Sequence, residues 1–246
     1  IPLTHPHLAF HNDLAFFESY YRRLVAASDL ITCISQQSRE DLRGFAADRG
    51  IKLPAVEVLL LGEELPDRAP ASAPRQAFFL CVGTVERRKN LELLYDALRI
   101  LESRGHTLPR IVVAGALGWG VDDLGEELAL QSTVASRAIV LLGSVQEDTL
   151  EQLYRRARAL LFPSHYEGWG LPVREAAVRG CPVAAGDSPA VREAAASYAG
   201  ATLLPTDDPV LWADYLLTVP ADVEPIAARG WDETALQLFG HIAGAA

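Results

Sequence analysis

Residues 159–176 read ALLFPSHYEGWGLPVREA: an apolar run Ala159-Leu160-Leu161-Phe162, a turn holding Gly168 and Gly170, then Leu171-Pro172-Val173-Arg174-Glu175-Ala176. The apolar run has no polar alternation, the pattern of a strand covered on both faces by helices. Pro172 suits the first turn of a helix, where its missing N–H is no loss and its fixed φ is already helical. Gly168 and Gly170 permit positive φ and close approach of backbone. The unit is therefore strand, loop, helix. Its loop leaves the amides around Gly170 to Val173 as free donors at the positive end of a helix dipole. That is an anion site suited to a diphosphate.

The same unit repeats on either side. Strands are predicted at 78–82, 111–114, 139–142, 159–162, 182–185 and 201–204, all apolar on both faces. After Asn90, a favourable N-cap, Leu91, Leu94, Tyr95, Leu98 and Leu101 form one helical stripe, and Gly105 supplies a stop. After Gln146 the stripe is Leu150, Leu153, Tyr154 and Ala157. Strict β-α alternation implies a parallel sheet with right-handed crossovers and helices on both faces, a Rossmann-like α/β domain over 76–225. Residues 1–62 read as the end of a different α/β domain. There Phe16, Phe17, Tyr20, Tyr21 and Leu24 form a stripe, 30–34 a short strand, Ser35 a helix cap and 56–61 a second strand. Residues 63–75, rich in Glu, Pro and Ala, read as a linker, and a helix from about Asp232 is expected to cross back to the first domain within 226–246.

The net charge of −10 argues against a sequence-independent nucleic-acid binder, which needs a basic face for phosphates. Three scattered cysteines, Cys33, Cys81 and Cys181, make neither a disulfide framework nor a zinc spacing and read as buried thiols in a reducing compartment. No apolar run reaches the roughly 18–20 residues that span a bilayer, so the expected location is cytoplasmic. The chain holds no methionine and opens on Ile1-Pro2-Leu3, which marks it as an expected piece of a longer protein.

Glu167 and Glu175 flank the proposed phosphate cradle. Two carboxylates would repel a phosphate, so they are better placed to accept hydrogen bonds from sugar or ribose hydroxyls. The basic triplet Arg87-Arg88-Lys89 precedes a helix start, where side-chain charge and helix dipole act together on an anion. Asp122-Asp123 reads as a helix cap rather than a metal pair, Trp119 as a residue bordering the site or packed in the core, and His165 as a neighbour of the site. His5, His7 and His11 lack metal-ligand spacing.

The run from Glu167 to Glu175 resembles the E-x7-E motif of retaining glycosyltransferases. Pro163-Ser164-x-x-Glu-Gly-Trp-Gly-Leu-Pro-x-x-Glu-Ala is similar to the family 4 form of the two-Rossmann-domain (GT-B) class. Gly83-Thr84-Val85-Glu86-Arg87-Arg88-Lys89-Asn90 resembles the family's first glycine loop, Leu142-Gly143-Ser144-Val145 its base-binding strand end, and Ala114 to Gly120 and Gly230-Trp231 further parts of its layout. The resemblance implies a retaining, metal-independent transfer from a nucleotide-sugar donor, GDP-mannose favoured, to a saccharide or glycolipid acceptor, with no cofactor. It implies that Arg88 and Lys89 neutralise the donor diphosphate in place of a metal and that Glu167 meets the donor sugar. Glu175 would meet the ribose, the Gly170 and Leu171 amides the phosphates, and the Val145 backbone the base. Gly83 and Thr84 form the loop, Thr84 standing where many members have Arg. The acceptor half lies mainly in a first domain of which this chain has the end, so catalysis is expected to need the remainder, as is any contact with the inner face of a membrane. A non-catalytic glycosyltransferase-like module that binds nucleotide or a partner is the alternative. A Rossmann dehydrogenase is disfavoured by the absence of GxGxxG after the first strand, and a nucleotide-sugar epimerase offers no identifiable acid and base.

Overall fold

The computed structural model describes residues 6–8, 14–63, 74–118, 128, 133–220 and 223–245. The N-terminal segment runs α1 (Leu14–Ala26), β1 (Leu30–Cys33), α2 (Gln36–Asp48) and β2 (Ala55–Val58), with β1 and β2 paired in parallel. Ser35 caps α2 as its sequence position suggests: its Oγ accepts from the Ser38 amide at 2.9 Å. The aromatic stripe of α1 behaves differently, for Phe16 and Tyr20 are 56% and 47% exposed and Val25 alone on that helix is buried.

Six strands form the second sheet: β3 (Phe78–Val82), β4 (Arg110–Ala114), β5 (Ile139–Gly143), β6 (Ala159–Phe162), β7 (Val183–Gly186) and β8 (Ala201–Leu204). Their order is β5-β4-β3-β6-β7-β8, and every pair is parallel. The chain builds outward from β3 through β5, then returns to the other side of β3 with β6. The strand order therefore reverses between β3 and β6, and open α/β sheets bind ligands beyond the strand ends at such a point. The strand expected at 182–185 begins one residue later, at Val183; Pro182 has no N–H for the ladder, though its carbonyl accepts from the Leu160 amide.

Alternate residues of each strand feed two cores. Phe79, Cys81, Leu161 and Ala184 face one layer, against α3 (Leu91–Ser103), α4 (Val134–Ala138) and α8 (Pro209–Thr218). Leu80, Leu160, Phe162, Val183 and Ala185 face the other, against α5 (Glu147–Arg156), α6 (Leu171–Ala177) and α7 (Pro189–Ala195). Leu94, Leu98 and Leu101 of α3 are fully buried, as the stripe requires. The helix ends as Gly105 suggests: with φ of 77°, that residue lets its own amide reach Glu102 O and the His106 amide reach Leu101 O, at 2.9 and 3.0 Å. Asn90 corrects the expectation of a side-chain cap. It sits in the left-handed region, at φ of 56°, and its Nδ2 instead donates to Pro163 O (3.2 Å) and Thr206 O (2.9 Å). One amide thus ties together the turns after β3, β6 and β8.

The last helix, α9 (Trp231–Ala245), returns to the N-terminal segment. There Thr234 Oγ1 donates to Leu60 O at 2.9 Å and Gln237 Nε2 to Val58 O at 2.8 Å. Most of the expected linker, 64–73, lies outside the described residues.

Burial pushes the Cys81 thiol up to about 12 and the Cys181 thiol up to about 11, and burial also raises Tyr154, Tyr198 and Tyr215. These groups hold their protons more tightly folded than unfolded, so their contribution is complete below the unfolded thiol value and is lost as pH rises through the folded values. The urea midpoint is expected to stay level between pH 7 and 8 and to fall steadily from about pH 9 upward. A midpoint independent of pH up to 11 would contradict these burials.

Candidate active site

The loop after β3 is built on close backbone contact. Gly83 has φ of 121°, and its amide donates to Ala114 O at 3.0 Å. A Cβ on Gly115 would lie 2.0 Å from Gly83 O and 2.5 Å from Gly83 C, so these two loops meet where no side chain fits. Val85 continues the contact, its amide donating to Ala116 O at 2.8 Å. Gly115→Ala is expected to displace the Gly83 turn, lowering stability by about 1–3 kcal/mol and weakening anion binding at the neighbouring lysine. Unchanged unfolding and binding in that variant would refute the contact.

Beyond Val85, a short 3-10 turn, Arg87–Lys89, aims Arg88 and Lys89 across the switch point. Both meet Glu167 from the loop after β6. Arg88 Nη1 lies 2.6 Å from Glu167 Oε2, and Lys89 Nζ lies 2.7 Å from Oε1. Arg88 is further held by Glu86 at 2.6 Å and by Tyr166 O at 3.1 Å, and its carbonyl accepts from the His165 amide at 3.0 Å. The Lys89 ammonium also stands 4.8 Å from the centre of the Phe162 ring. The Glu167 side chain is only 11% exposed and that of Glu86 15%, so the two cations and two carboxylates form a fixed, largely desolvated, charge-balanced group. Beside it, Gly83, Thr84, Lys89, Phe162 and Ser164 line a cavity of about 20 Å³, and the buried Ser164 hydroxyl has no partner among the described residues. Partial desolvation, followed by the charge of His7, holds His165 below the usual imidazole range.

The loop then enters α6. Gly170 has φ of 103°, as its place predicts, and Pro172 occupies the first turn. Gly168 is glycine for another reason: its φ is not positive, but a Cβ there would come within 3.2 Å of Ile34 Cδ1. Glu175 lines a cleft of about 240 Å³ that Glu167 does not line, shared with Leu171, Leu150, Tyr154, Glu147 and Trp231. The buried Tyr154 hydroxyl donates to Glu175 Oε2 at 2.6 Å and fixes that carboxylate. Val145, like Leu150, packs against the core of the same layer. The predicted residues thus fall into two neighbouring groups: Gly83, Thr84, Arg88, Lys89 and Glu167 at the switch point, and Leu171 with Glu175 in the cleft, joined through Gly170. Trp119 and Asp122-Asp123 lie outside the described residues. Among the described residues no cluster of three or more His, Cys, Asp or Glu side chains is arranged to hold a metal ion.

Some of the residues that organise the site carry no local signal. Glu63, read as linker, is buried and joins Arg174 Nε at 2.6 Å to the Arg229 amide at 2.7 Å. Next to it, Gly62 lies against Trp231, whose ring and amide would be 2.9 Å from a Cβ.

The chain that forms this β5-β4-β3-β6-β7-β8 sheet has known counterparts. The model of the family described as glycosyl transferases group 1 matches residues 64–228, more than half of the chain. The chain belongs to this glycosyltransferase family. It is 30% identical over 216 residues to the serotype-specific mannosyltransferase WbdA of Escherichia coli, covering 81% of this chain and 26% of that protein. It is 29% identical over 229 residues to O-antigen chain mannosyltransferase B of the same organism, covering 87% and 58%. The chain therefore spans only a quarter to some three fifths of the length of these relatives. In fold, this glycosyltransferase chain is similar to the sucrose-phosphate synthase of Thermosynechococcus elongatus, with a TM-score of 0.76 at 19% identity over 99% of this chain and 66% of that one. It is also similar to Anabaena Alr3699/HepE in complex with UDP and glucose, with a TM-score of 0.65 at 18% identity over 82% and 57%. These likenesses establish the GT-B α/β fold. Among the described residues no helix is long and apolar enough to cross a membrane.

Proposed function

We propose that the chain is the donor-binding part of a retaining, metal-independent glycosyltransferase that moves mannose from GDP-mannose to a saccharide or glycolipid acceptor. The observation that carries this reading is the convergence of Arg88, Lys89 and Glu167 from two loops at the sheet's switch point. Nucleoside diphosphate is the leaving group, and its charge grows as the bond from the sugar's anomeric carbon to phosphate oxygen breaks. Arg88 and Lys89 are cations at that place, and they stabilise this charge as the diphosphate shares them with Glu86 and Glu167. The amides of Gly170 and Leu171, at the start of α6, add donors to the phosphates.

Glu167 accepts from donor-sugar hydroxyls. With both oxygens held by Arg88 and Lys89, it is poorly disposed to attack carbon, so the pair Glu167 and Glu175 differs in role from the two carboxylates of a glycoside hydrolase. Retention then follows a front-face course. The acceptor oxygen bonds to the anomeric carbon on the face that the phosphate leaves, and the departing phosphate oxygen takes the acceptor's proton. Glu175, oriented by Tyr154, accepts from the ribose hydroxyls, and the Val145 backbone meets the base. The mannosyl activity in the relatives' names favours GDP-mannose. So does Glu147 on the cleft wall, since a carboxylate can accept from both the N1–H and the N2–H of guanine, where uracil offers N3–H alone. Acceptor binding, transfer beside the cytoplasmic face of a membrane and polysaccharide synthesis belong to the whole protein and complete the proposal.

Glu175→Ala is expected to weaken GDP binding by about 10- to 100-fold, the loss of one charge-assisted hydrogen-bond set. Titration calorimetry on the folded variant checks this, and an unchanged Kd would remove Glu175 from the donor site.

A further inference from the structure

Glu167 sits between two residues that are both held by α2, an element of the N-terminal segment. On one side, the Tyr166 hydroxyl donates to Asp41. On the other, the Gly168 carbonyl accepts from Ser35 Oγ at 2.6 Å and from Ser38 Oγ at 3.1 Å. The helix end that supplies these hydroxyls is itself pinned to the second domain. The amides of Gln36 and Gln37 donate to Glu193 Oε2 and Oε1 of α7, each at 2.9 Å. Ile34 lies against the same residue, its Cδ1 3.2 Å from where a Gly168 Cβ would stand. Within the glycosyltransferase domain the 166–168 loop is held by Arg88 and Lys89 on Glu167, by Arg88 Nη1 on Tyr166 O, and by the burial of the adjoining Trp169. The Gly168 carbonyl lies one residue beyond Glu167 and the Tyr166 hydroxyl one residue before it. The two contacts therefore bracket the Glu167 backbone and keep its Cα within one Cα–Cα step, about 3.8 Å, of each held residue.

We infer that the first turn of α2 is the positioning device for Glu167, with Ser35 as its principal residue, so that the N-terminal segment sets how well the site grips the donor sugar. The inference rests on the proposed contact of Glu167 with that sugar. Ser35 has two separable tasks: its Oγ accepts from the Ser38 amide as a helix cap and donates to Gly168 O. Asp is as good a cap as Ser but has no proton to donate, whereas Thr retains both functions. Small misplacements of a preorganised group are costly, on the order of 100-fold per ångström in favourable cases.

The test compares affinities for GDP and GDP-mannose in the same protein by titration calorimetry. Wild type and Ser35→Thr are expected to bind GDP-mannose more tightly than GDP by the same factor. Ser35→Asp, with Ser38→Ala in the same chain, is expected to bind GDP within about threefold of wild type yet lose most of that factor, about tenfold or more. General structural damage would weaken both ligands together. A full sugar increment in the Ser35→Asp, Ser38→Ala chain, or parallel loss of GDP and GDP-mannose binding, would overturn the inference while leaving the donor site intact. Equal binding of GDP and GDP-mannose by wild type would overturn it along with the sugar contact of Glu167. No GDP binding by wild type would instead remove the proposed function beneath it.

Discussion

Lys89→Ala is expected to lower kcat/KM for sugar transfer by about 100- to 1,000-fold, the usual effect of deleting one preorganised charge-stabilising group. The residue ends a 3-10 turn whose backbone is held by its own neighbours, Lys89 N to Glu86 O at 2.8 Å and Asn90 N to Arg87 O at 3.1 Å. The side chain can be cut away without disturbing those bonds or either core. What is lost is a cation that is 18% exposed, lies 2.7 Å from Glu167 and sits over the Phe162 ring. Glu167 would keep Arg88 but lose one of its two anchors, so both diphosphate binding and sugar contact should suffer. Lys89→Arg is expected to recover little. The lysine stem passes 3.3 Å from where a Gly83 Cβ would stand, and a planar guanidinium does not replace a compact ammonium in so narrow a passage. Turnover in the whole transferase, with circular dichroism to show an intact fold, measures this. Activity within a few-fold of wild type would exclude Lys89 from the chemistry.

Glu63→Ala is expected to be the most destabilising of these substitutions, at about 3–5 kcal/mol. Its side chain is 3% exposed and joins three parts of the chain: the end of the N-terminal segment, α6 through Arg174, and the approach to α9 through the Arg229 amide. The Glu63 amide closes the same knot by donating to Arg229 O at 2.8 Å. Removing the carboxylate leaves a guanidinium and an amide buried without their partner, which costs far more than the net value of the pair. A thermal midpoint lower by roughly 6–20 °C follows for a chain of this size. Glu63→Gln, which retains an acceptor, should lose less. Arg174 directly precedes Glu175 in α6, so weaker GDP binding should accompany the loss of stability. A Glu63→Ala chain as stable as wild type would show that the knot contributes nothing.

The strands were legible because the inner ones, β6 and β7 above all, bury both faces and so read as uninterrupted apolar runs. β3, β6 and β8 begin and end where 78–82, 159–162 and 201–204 do. The ion-pair group was legible in part, because glycine-rich loops directly after strands must lie at one edge of a parallel sheet. That Lys89 and Glu167 touch was not, since it depends on β3 and β6 being neighbours, a matter of strand order. Asn90 shows the limit of local propensity: its type and position fit a cap, yet two carbonyls from remote turns claim its amide. Glu63 and the second contact of Ser35 were opaque for the same reason, their partners Arg174 and Gly168 lying 111 and 133 residues away. The α1 stripe misleads in the opposite sense, with the correct period for a buried face and yet Phe16 and Tyr20 largely exposed among the described residues.

The central claim, a diphosphate site whose positive charge comes from Arg88 and Lys89, is tested most directly by titrating the chain with GDP in the presence and absence of EDTA, beside Lys89→Ala. GDP binding that is indifferent to EDTA, stronger than UDP binding and lost or weakened at least tenfold in the variant is the expected result. A folded chain that binds no GDP, binds it only with an added divalent ion, or binds it equally well as Lys89→Ala would contradict the account.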